Sequence, residues 1–308
     1  MIRLTKSLRT TVMIGLDDTD HPDVGCTTHA LDSLVSRISE EPWSEILERR
    51  LVRLWPFAPR RTRGNGALCV IASVESSSID LLEGICESWF DDLAESISKY
   101  PDNGIKASPC LLISYSRTPE SWYWDSVRAE VDIENRRAEV RASGTKVLEL
   151  DEGWGIIGAS AAISWVPREH SSWELIAWRD EARVGSEREV SHEAVAQMAQ
   201  SHPETFLNRD PTKNKGLIAP RTPCPVLYGI RGETCNSVTE AHMWLQGRND
   251  VEASHKWAPH RTNQMSDDHL VGVCTGTVLS PPHEGRGAHT NLRVLANGKV
   301  SILVVFKE

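Results

Sequence analysis

The sequence predicts a multidomain protein that combines the α/β and α+β classes. Near the amino terminus, a short apolar run at residues 11–16 indicates a buried strand, and a helical pattern follows it after an acidic turn. Between residues 172 and 248, the order strand, helix, strand, strand, helix is compatible with a ferredoxin-like topology. The tail at residues 272–307 alternates apolar and polar residues between glycines and prolines, as antiparallel strands do.

Apolar spacing and cap residues predict the order of the elements. In the first half we expect helices at residues 30–38, 80–100, 126–150 and 153–165, and a strand at 67–74. We also expect a short helix after Pro42 that includes Ile46 and Leu47. In the second half we expect strands at 172–179 and 225–232, a helix at 190–203 capped by Ser191, and a helix at 236–248 capped by Asn236.

The composition of the 308 residues fits a globular protein, with 40% hydrophobic and 25% charged residues. No signal peptide is recognisable, and the apolar runs are too short to span a membrane, so we expect a cytoplasmic protein. Seven widely spaced cysteines include no CxxC pair, which argues against a zinc ribbon or a redox dithiol. The net charge of −9 argues against a general nucleic-acid coating protein, but arginines concentrated between residues 49 and 63 allow a local basic patch.

The stretch MIGLDDTDHPDVGCTTHA carries the strongest chemical signal. Three carboxylates at the end of the strand, Asp17, Asp18 and Asp20, repel one another unless a cation neutralises them, and Mg²⁺ binds such oxygens together with substrate phosphates. Thr27 and Thr28 open the next helix, where free backbone N–H groups favour an anion. The alternative is that these are ordinary turn and cap residues. As a set, they predict metal-bound phosphate beside a hydroxyl group that can receive it.

The segment RTRGNG is a second candidate for phosphate binding. Gly64 and Gly66 would let the backbone approach a ligand closely, and Arg61 and Arg63 can grip a phosphate. The alternative is a solvated hairpin loop, because Asn65 and its neighbouring glycines are common turn residues.

Seven motifs occur in a fixed order between about residue 12 and residue 270. They are GLDDTDHPDVGCTT, RLVRLWPFAPRRTRGNGA, WGIIGASAAI, ELIAWR, PETFLN, LIAPRTPCPVLYGIRGE and HRTNQMSDDHL. In sequence and order these motifs resemble the archaeal tRNA(Ile) 2-agmatinylcytidine (agmatidine) synthetase family. The resemblance implies an ATP-dependent ligase that attaches agmatine to C2 of the wobble cytidine in the CAU-anticodon isoleucine tRNA. It implies ATP and Mg²⁺ as cofactors, and tRNA and agmatine as partners, with no membrane or protein partner.

The same resemblance implies three domains. Residues 1–166 would form a kinase-like ATP-binding domain, residues 167–256 a ferredoxin-like domain, and residues 257–308 a partial OB-fold. The zinc ribbon of the family would be absent, which makes this a C-terminally shortened member. His21 and Met265 stand where the family pattern leads us to expect serine and glycine.

The family's route activates the cytidine O2 by phosphorylation, and a threonine of its CTT motif becomes phosphorylated. That threonine corresponds to Thr27, and Asp17, Asp18 and Asp20 would hold Mg²⁺–ATP. Further nucleotide contacts would come from Gly25, Cys26, Thr28, Arg61, Arg63, Gly64, Asn65 and Gly66.

The substrate residues are expected among polar side chains of the second half. The guanidinium of agmatine favours a bidentate carboxylate, for which Glu233, Asp267 and Asp268 are candidates, with surface or capping roles as the alternative. Arg179 and Arg231 are candidates for phosphate or tRNA contacts, with ion pairs as the alternative.

Two other functions compete with the synthetase. Asp18, Thr19 and Asp20 imitate the DxD motif of haloacid-dehalogenase-like phosphatases, although Pro22 stands where that family has a small hydroxylic residue. The second alternative is a non-catalytic ATP- or tRNA-binding module that keeps the fold without the reaction.

Overall fold

The chain forms two compact units, one within Met1–Asp210 and Asn214–His269 and the other within Pro211–Lys213 and Leu270–Glu308. The computed structural model describes residues 8–21, 24–61, 64–101, 106–169, 171–210, 215–266, 268–270, 276–285, 289–296 and 299–305.

The first unit contains seven α-helices and eleven strands among its described residues. The strands are β1 (Arg9–Asp17), β2 (Ser44–Arg53), β3 (Gly66–Glu75), β4 (Cys110–Ser114), β5 (Lys146–Glu149), β6 (Ser172–Trp178), β7 (Thr205–Phe206), β8 (Arg209–Asp210), β9 (Lys215–Gly216), β10 (Val226–Gly232) and β11 (Lys256–Thr262). The helices are α1 (Thr27–Ser39), α2 (Ile79–Ile97), α3 (Ser121–Arg128), α4 (Ile133–Ala142), α5 (Ile156–Ser164), α6 (His192–Ser201) and α7 (Cys235–Gln246).

Nine of these strands form one mixed sheet in the order β5-β4-β1-β3-β2-β11-β6-β10-β7. Neighbouring strands are antiparallel except at β2 and β11, which pair in parallel through Arg50 with Arg261 and Leu51 with Thr262. This parallel pair joins the strands of the amino-terminal half to those of the second half. The sheet is therefore continuous across the middle of the first unit, and the prediction of a mixed α/β and α+β chain is confirmed at this level.

Apolar residues alternate between the two faces of the sheet, and each face is covered by helices. α1 and α2 cover the face that presents buried residues such as Ile14 and Leu68. α5 packs on the opposite face against Cys69 and Leu112. α6 and α7 cover Leu175 and its neighbours in the β6–β10 part of the sheet.

Two predicted helices of the first half are wrong. Residues 44–53 form β2, because Ile46 pairs with Ala72 of β3 and Leu47 lies at an irregularity in that pairing, where its side chain is exposed. The predicted helix at 126–150 is instead the end of α3, then α4 and β5. Asp132 caps α4 by accepting from the Asn135 N–H, and Gly144 at φ +77° leads the chain from α4 into β5.

The other elements follow the prediction with small shifts. Ser191 caps α6 by accepting from the Ala194 N–H, as expected. Thr234, and not Asn236, caps α7, and it forms a reciprocal capping box with Ser237. No described helix is both long and apolar enough to cross a lipid bilayer.

The second unit is a small antiparallel sheet, as the alternation of its sequence predicts. Its strands are β12 (Thr277–Val278), β13 (His283–Glu284), β14 (Thr290–Ala296) and β15 (Lys299–Val305). β12 and β13 pair with the two ends of β14 along one edge, and β15 pairs along the other edge.

Candidate active site

A cavity of about 330 Å³ lies at the end of β1, where the amino end of α1, the end of β2 and the start of α5 meet. Most of the residues predicted to bind nucleotide line it. These are Asp17, Asp18, Asp20, Cys26, Thr27, Thr28, Gly64, Asn65 and Gly66.

The chain leaves β1 through a tight turn at Asp18, whose φ of +60° is uncommon outside glycine. Burial raises the pKa of Asp17 well above its usual value, and the charge of Asp18 raises it further. Burial also raises the pKa of Asp18 to about 7, against the lowering effect of Arg60. The two carboxylates therefore lack sufficient positive charge nearby to offset their burial, which is the condition that a bound cation would relieve.

Helix α5 packs closely against the end of β1 because Gly158 in the helix and Gly155 at its N-cap position have no side chain. A methyl group on Gly158 would lie 1.9 Å from Asp17 Oδ2, and one on Gly155 would lie 2.4 Å from the carbonyl oxygen of Asp17. The small residues of this helix therefore serve close packing of the backbone against β1, and they also leave room for the Asp17 carboxylate at the cavity wall.

Thr27 is the first residue of α1, and its side chain is buried. Its hydroxyl donates to Asp20 Oδ1 at 3.3 Å and accepts from the Thr19 hydroxyl at 3.2 Å. Within the described residues, the amino end of α1 has no side-chain cap, since the N-cap position is Cys26. This end of α1 therefore has the orientation of backbone N–H groups that suits an anion, as at other helix amino termini that bind phosphate.

The other residues of this turn have defined structural roles. Gly25 adopts φ +73°, and a methyl group there would lie 2.4 Å from the Tyr100 hydroxyl oxygen, so glycine is needed for both conformation and space. Thr28 accepts a hydrogen bond from Trp178 Nε1 at 3.2 Å, and its hydroxyl lies 3.0 Å from Cys26 Sγ.

The glycine-containing loop contributes its last residues to the cavity. Asn65 adopts φ +43°, and its side-chain amide donates to the Trp55 carbonyl oxygen at 2.6 Å, so it shapes the loop. Arg61 donates to the Ala58 carbonyl oxygen at 3.0 Å and does not line the cavity. Arg63 lies outside the described residues.

Sequence reasoning missed Arg60 and Trp154. The Arg60 guanidinium lies 3.8 Å from the Asp18 carboxylate and 5.0 Å from the centre of the Trp154 ring. Both residues line the cavity, so an arginine supported by an aromatic ring faces the acidic turn. Their place in the motifs WPFAPRR and WGIIG was the available signal.

The carboxylates at the cavity are potential ligands for a metal ion. Among the residues that the structure describes, no three histidine, cysteine, aspartate or glutamate side chains form a ready-made metal cage. Mg²⁺ usually takes only one or two protein carboxylates and completes its shell with phosphates and water. The half-buried, uncompensated carboxylates of Asp17 and Asp18 fit that donor set.

The predicted substrate residues do not gather at the cavity. Arg179 is buried and binds both carboxylate oxygens of Glu252 at 2.8 Å. Arg231 lies 3.2 Å from Glu174, and Glu233 is exposed in the turn after β10. Asp268 is buried and accepts from the Tyr123 hydroxyl at 2.6 Å. Its neighbour in the sequence, Asp267, lies outside the described residues.

Two family models match, that of the TiaS TCKD domain at residues 13–152 and that of the TiaS FLD domain at residues 153–269. A protein of Methanopyrus kandleri named tRNA(Ile2) 2-agmatinylcytidine synthetase TiaS is 34% identical over 269 residues, covering 84% of this chain and 58% of the relative. A protein of the same name from Cenarchaeum symbiosum is 28% identical over 316 residues, covering 97% of this chain and 68% of the relative.

Solved structures of TiaS proteins are also similar to this chain. The crystal structure of a TiaS–tRNA(Ile2)–ATP complex has a TM-score of 0.78 and 26% identity, covering 97% of this chain and 72% of that one. The crystal structure of a TiaS–tRNA(Ile2)–AMPCPP–agmatine complex has a TM-score of 0.77 and 25% identity, covering 97% of this chain and 74% of that one. These similarities do not favour the phosphatase or the non-catalytic module. The chain belongs to the tRNA(Ile2) 2-agmatinylcytidine synthetase family.

Proposed function

We propose that this protein uses ATP to join agmatine to C2 of the wobble cytidine in the CAU-anticodon isoleucine tRNA, through a cytidine phosphorylated at O2. The observation that carries the proposal is the cavity, where three carboxylates and a hydroxyl group surround the uncapped amino end of α1. Relatives with this name, and structures of similar proteins with tRNA(Ile2), an ATP analogue and agmatine, support the choice of substrates.

We propose that Asp17, Asp18 and Asp20 are the residues at which Mg²⁺–ATP is held. A bound Mg²⁺ would neutralise phosphate charge. Asp17 and Asp18 are the carboxylates whose burial is uncompensated, so they are the stronger candidates for direct ligands. Backbone N–H groups in the first turn of α1 and the guanidinium of Arg60 would bind phosphate oxygens.

Thr27 is our candidate for the residue that accepts the γ-phosphoryl group. Its hydroxyl oxygen would form a bond to the γ-phosphorus while the bond to the β-phosphate oxygen breaks, releasing ADP. The proton of the hydroxyl would pass to Asp20, to which it already donates at 3.3 Å. A buried serine-like hydroxyl beside a carboxylate is a suitable arrangement for such a transfer.

The second half of the reaction follows from the chemistry of cytosine. The O2 oxygen is a poor leaving group. Transfer of the phosphoryl group from Thr27 to O2, which breaks the bond between the Thr27 oxygen and phosphorus and restores the threonine hydroxyl with the proton held by Asp20, would convert it into a good one. The primary amine of agmatine would then attack C2 and phosphate would depart, with the amine losing its proton. Attack requires the unprotonated amine, so the site for agmatine should lie where a base or desolvation removes that proton.

We also propose a domain assignment for the chain. Residues 1–166 form the kinase-like domain and residues 167–256 the ferredoxin-like domain, with OB-fold-like chain in 257–308. Residues 257–262 of the OB-fold-like part lie in β11, which pairs antiparallel with β6 of the ferredoxin-like part. A cytoplasmic location agrees with the use of ATP and tRNA.

The proposal is tested by incubating the purified chain with labelled agmatine, ATP and a CAU-anticodon tRNA transcript. We expect acid-insoluble label that depends on ATP and on the transcript, and that Thr27→Ala abolishes. Thr28→Ser is the matched control, because it retains the hydroxyl that meets Trp178. Tight ATP binding without incorporation would favour a non-catalytic module, and hydrolysis of phosphate esters without tRNA would favour a phosphatase.

A further inference from the structure

A buried carboxylate beside the cavity holds two arginines. Glu174 of β6 is only 2% exposed. Its Oε2 lies 2.5 Å from Arg53 Nη2 and its Oε1 lies 3.2 Å from Arg231 Nη2. Burial alone would raise the pKa of Glu174, but Arg231 and Arg53 outweigh it and lower the pKa to about 2. Glu174 is therefore ionised and orients both guanidinium groups, one from β2 and one from β10.

The backbone of Arg53 is also fixed. The side-chain amide of Asn263 accepts from the Arg53 N–H at 2.7 Å and donates to the Arg53 carbonyl oxygen at 3.0 Å. Asn263 in turn donates to the Tyr123 hydroxyl at 2.9 Å, and that hydroxyl donates to Asp268 at 2.6 Å. This network of hydrogen bonds thus positions Arg53, whose side chain lines the cavity.

This arginine pair has unused capacity for an anion. Two positive charges face one carboxylate, so the set carries a net charge of about +1. The Nε atoms of Arg53 and Arg231 are buried and have no hydrogen-bond partner among the described residues. The two side chains remain 22% and 21% exposed, so each arginine is still partly accessible. Gly229 provides space for the carboxylate, because a methyl group there would lie 2.9 Å from Glu174 Oε1.

We propose that Arg53 and Arg231 form a subsite for a backbone phosphate of the RNA substrate, next to the nucleotide that enters the cavity, with Glu174 as the positioning residue. Planar guanidiniums fixed by a carboxylate match the oxygens of a phosphodiester. The subsite begins at the cavity wall with Arg53 and continues along the sheet to Arg231, which does not line the cavity. Because Arg231 lies outside the cavity lining, a polynucleotide, which has phosphates beyond the nucleotide in the cavity, matches the arginine pair better than a triphosphate bound beside Thr27. This assignment rests on the proposed use of tRNA.

The test measures the affinity of the whole chain for the CAU-anticodon tRNA transcript across a series of salt concentrations, and its affinity for ATP without RNA. Arg231→Gln should weaken tRNA binding about tenfold and make the plot of log K against log salt shallower by about one. ATP affinity should not change. The control is Arg37→Gln, which removes a 43% exposed arginine paired with Asp92 on the α1–α2 surface and should leave both affinities unchanged.

A second variant separates a binding role from a folding role. Glu174→Gln with Arg231→Gln keeps the net charge of the chain and leaves no buried carboxylate without its partner. We expect the same loss of tRNA affinity with an unchanged far-UV circular dichroism spectrum. Unchanged tRNA affinity in both variants would overturn the inference while leaving the proposed function intact. A loss of ATP affinity alone would reassign the subsite to the nucleotide. If the unaltered chain bound no tRNA, the proposed function would fail together with this inference.

Discussion

Replacing Asp18 with asparagine should stabilise the unliganded chain at neutral pH while removing Mg²⁺-dependent ATP binding. Asparagine keeps the size and hydrogen-bonding shape of the side chain, and it also tolerates the φ of +60° at this position. The substitution therefore removes the charge with little effect on the conformation of the turn.

The magnitude follows from the pKa of Asp18, which burial raises from 3.8 to about 7. The folded chain thus binds this proton more tightly than the unfolded chain. The stabilisation of the folded chain by this bound proton is complete below pH 3.8 and is lost as the pH rises through 7. The total change in the free energy of unfolding is about 4 kcal/mol. Because asparagine does not ionise, the free energy of unfolding of the variant should exceed that of the unaltered chain by an amount that grows by about 2–3 kcal/mol between pH 5 and pH 8.5.

Urea unfolding at the two pH values, without nucleotide or metal, measures this difference. Isothermal calorimetry with Mg²⁺ and ATP measures the second effect, for which we expect no binding by the variant. If the stability difference is the same at both pH values, the raised pKa is refuted. If Mg²⁺-dependent ATP binding is unchanged, Asp18 is not a ligand of the metal.

Three further predictions concern the cavity and the sheet around it. Gly158→Ala places a methyl group 1.9 Å from the Asp17 carboxylate, so it should lower the free energy of unfolding by about 1–3 kcal/mol and weaken ATP binding. The control is Gly84→Ala, whose methyl group has no atom within 4 Å and which should raise the free energy of unfolding by up to about 1 kcal/mol. Equal effects of the two alanines in urea unfolding would refute the close contact. Thr27→Ser should retain protein-bound label from γ-labelled ATP and Thr27→Ala should lose it, and label that persists on the alanine variant would rule this residue out. Burial lowers the pKa of His260 from 6.5 to about 4, so this group contributes stability that is present above pH 6.5 and lost as the pH falls through 4. Between pH 6.5 and pH 4, the free energy of unfolding should fall less in His260→Gln than in the unaltered chain, by about 3 kcal/mol at most. An unchanged pH dependence of the free energy of unfolding would contradict the burial argument.

The core of the candidate site could be predicted because its residues are close together in the sequence. Asp17, Asp18, Asp20 and Thr27 belong to one strand, turn and helix, so local patterns place them at one end of the sheet without knowledge of the fold. All four line the same cavity.

The rest of the neighbourhood depends on pairing between distant segments. Glu174, Arg53 and Arg231 meet only because β2 pairs with β11 and β6 lies between β11 and β10, which no local pattern reveals. Pairing with another distant segment, β3, explains the wrong helix around Ile46, since glutamates spaced among apolar residues suit a helix and a strand equally until a partner strand selects one.

The identity of the modified nucleoside tests the central claim most directly. A CAU-anticodon tRNA transcript is incubated with the chain, ATP and agmatine, digested to nucleosides and analysed by mass spectrometry, beside a transcript whose wobble cytidine is replaced by uridine. The account predicts that the wobble cytidine gains agmatine with loss of water, that the gain requires ATP, and that the uridine transcript is unmodified. An unmodified cytidine in the presence of a folded, ATP-binding chain would contradict it.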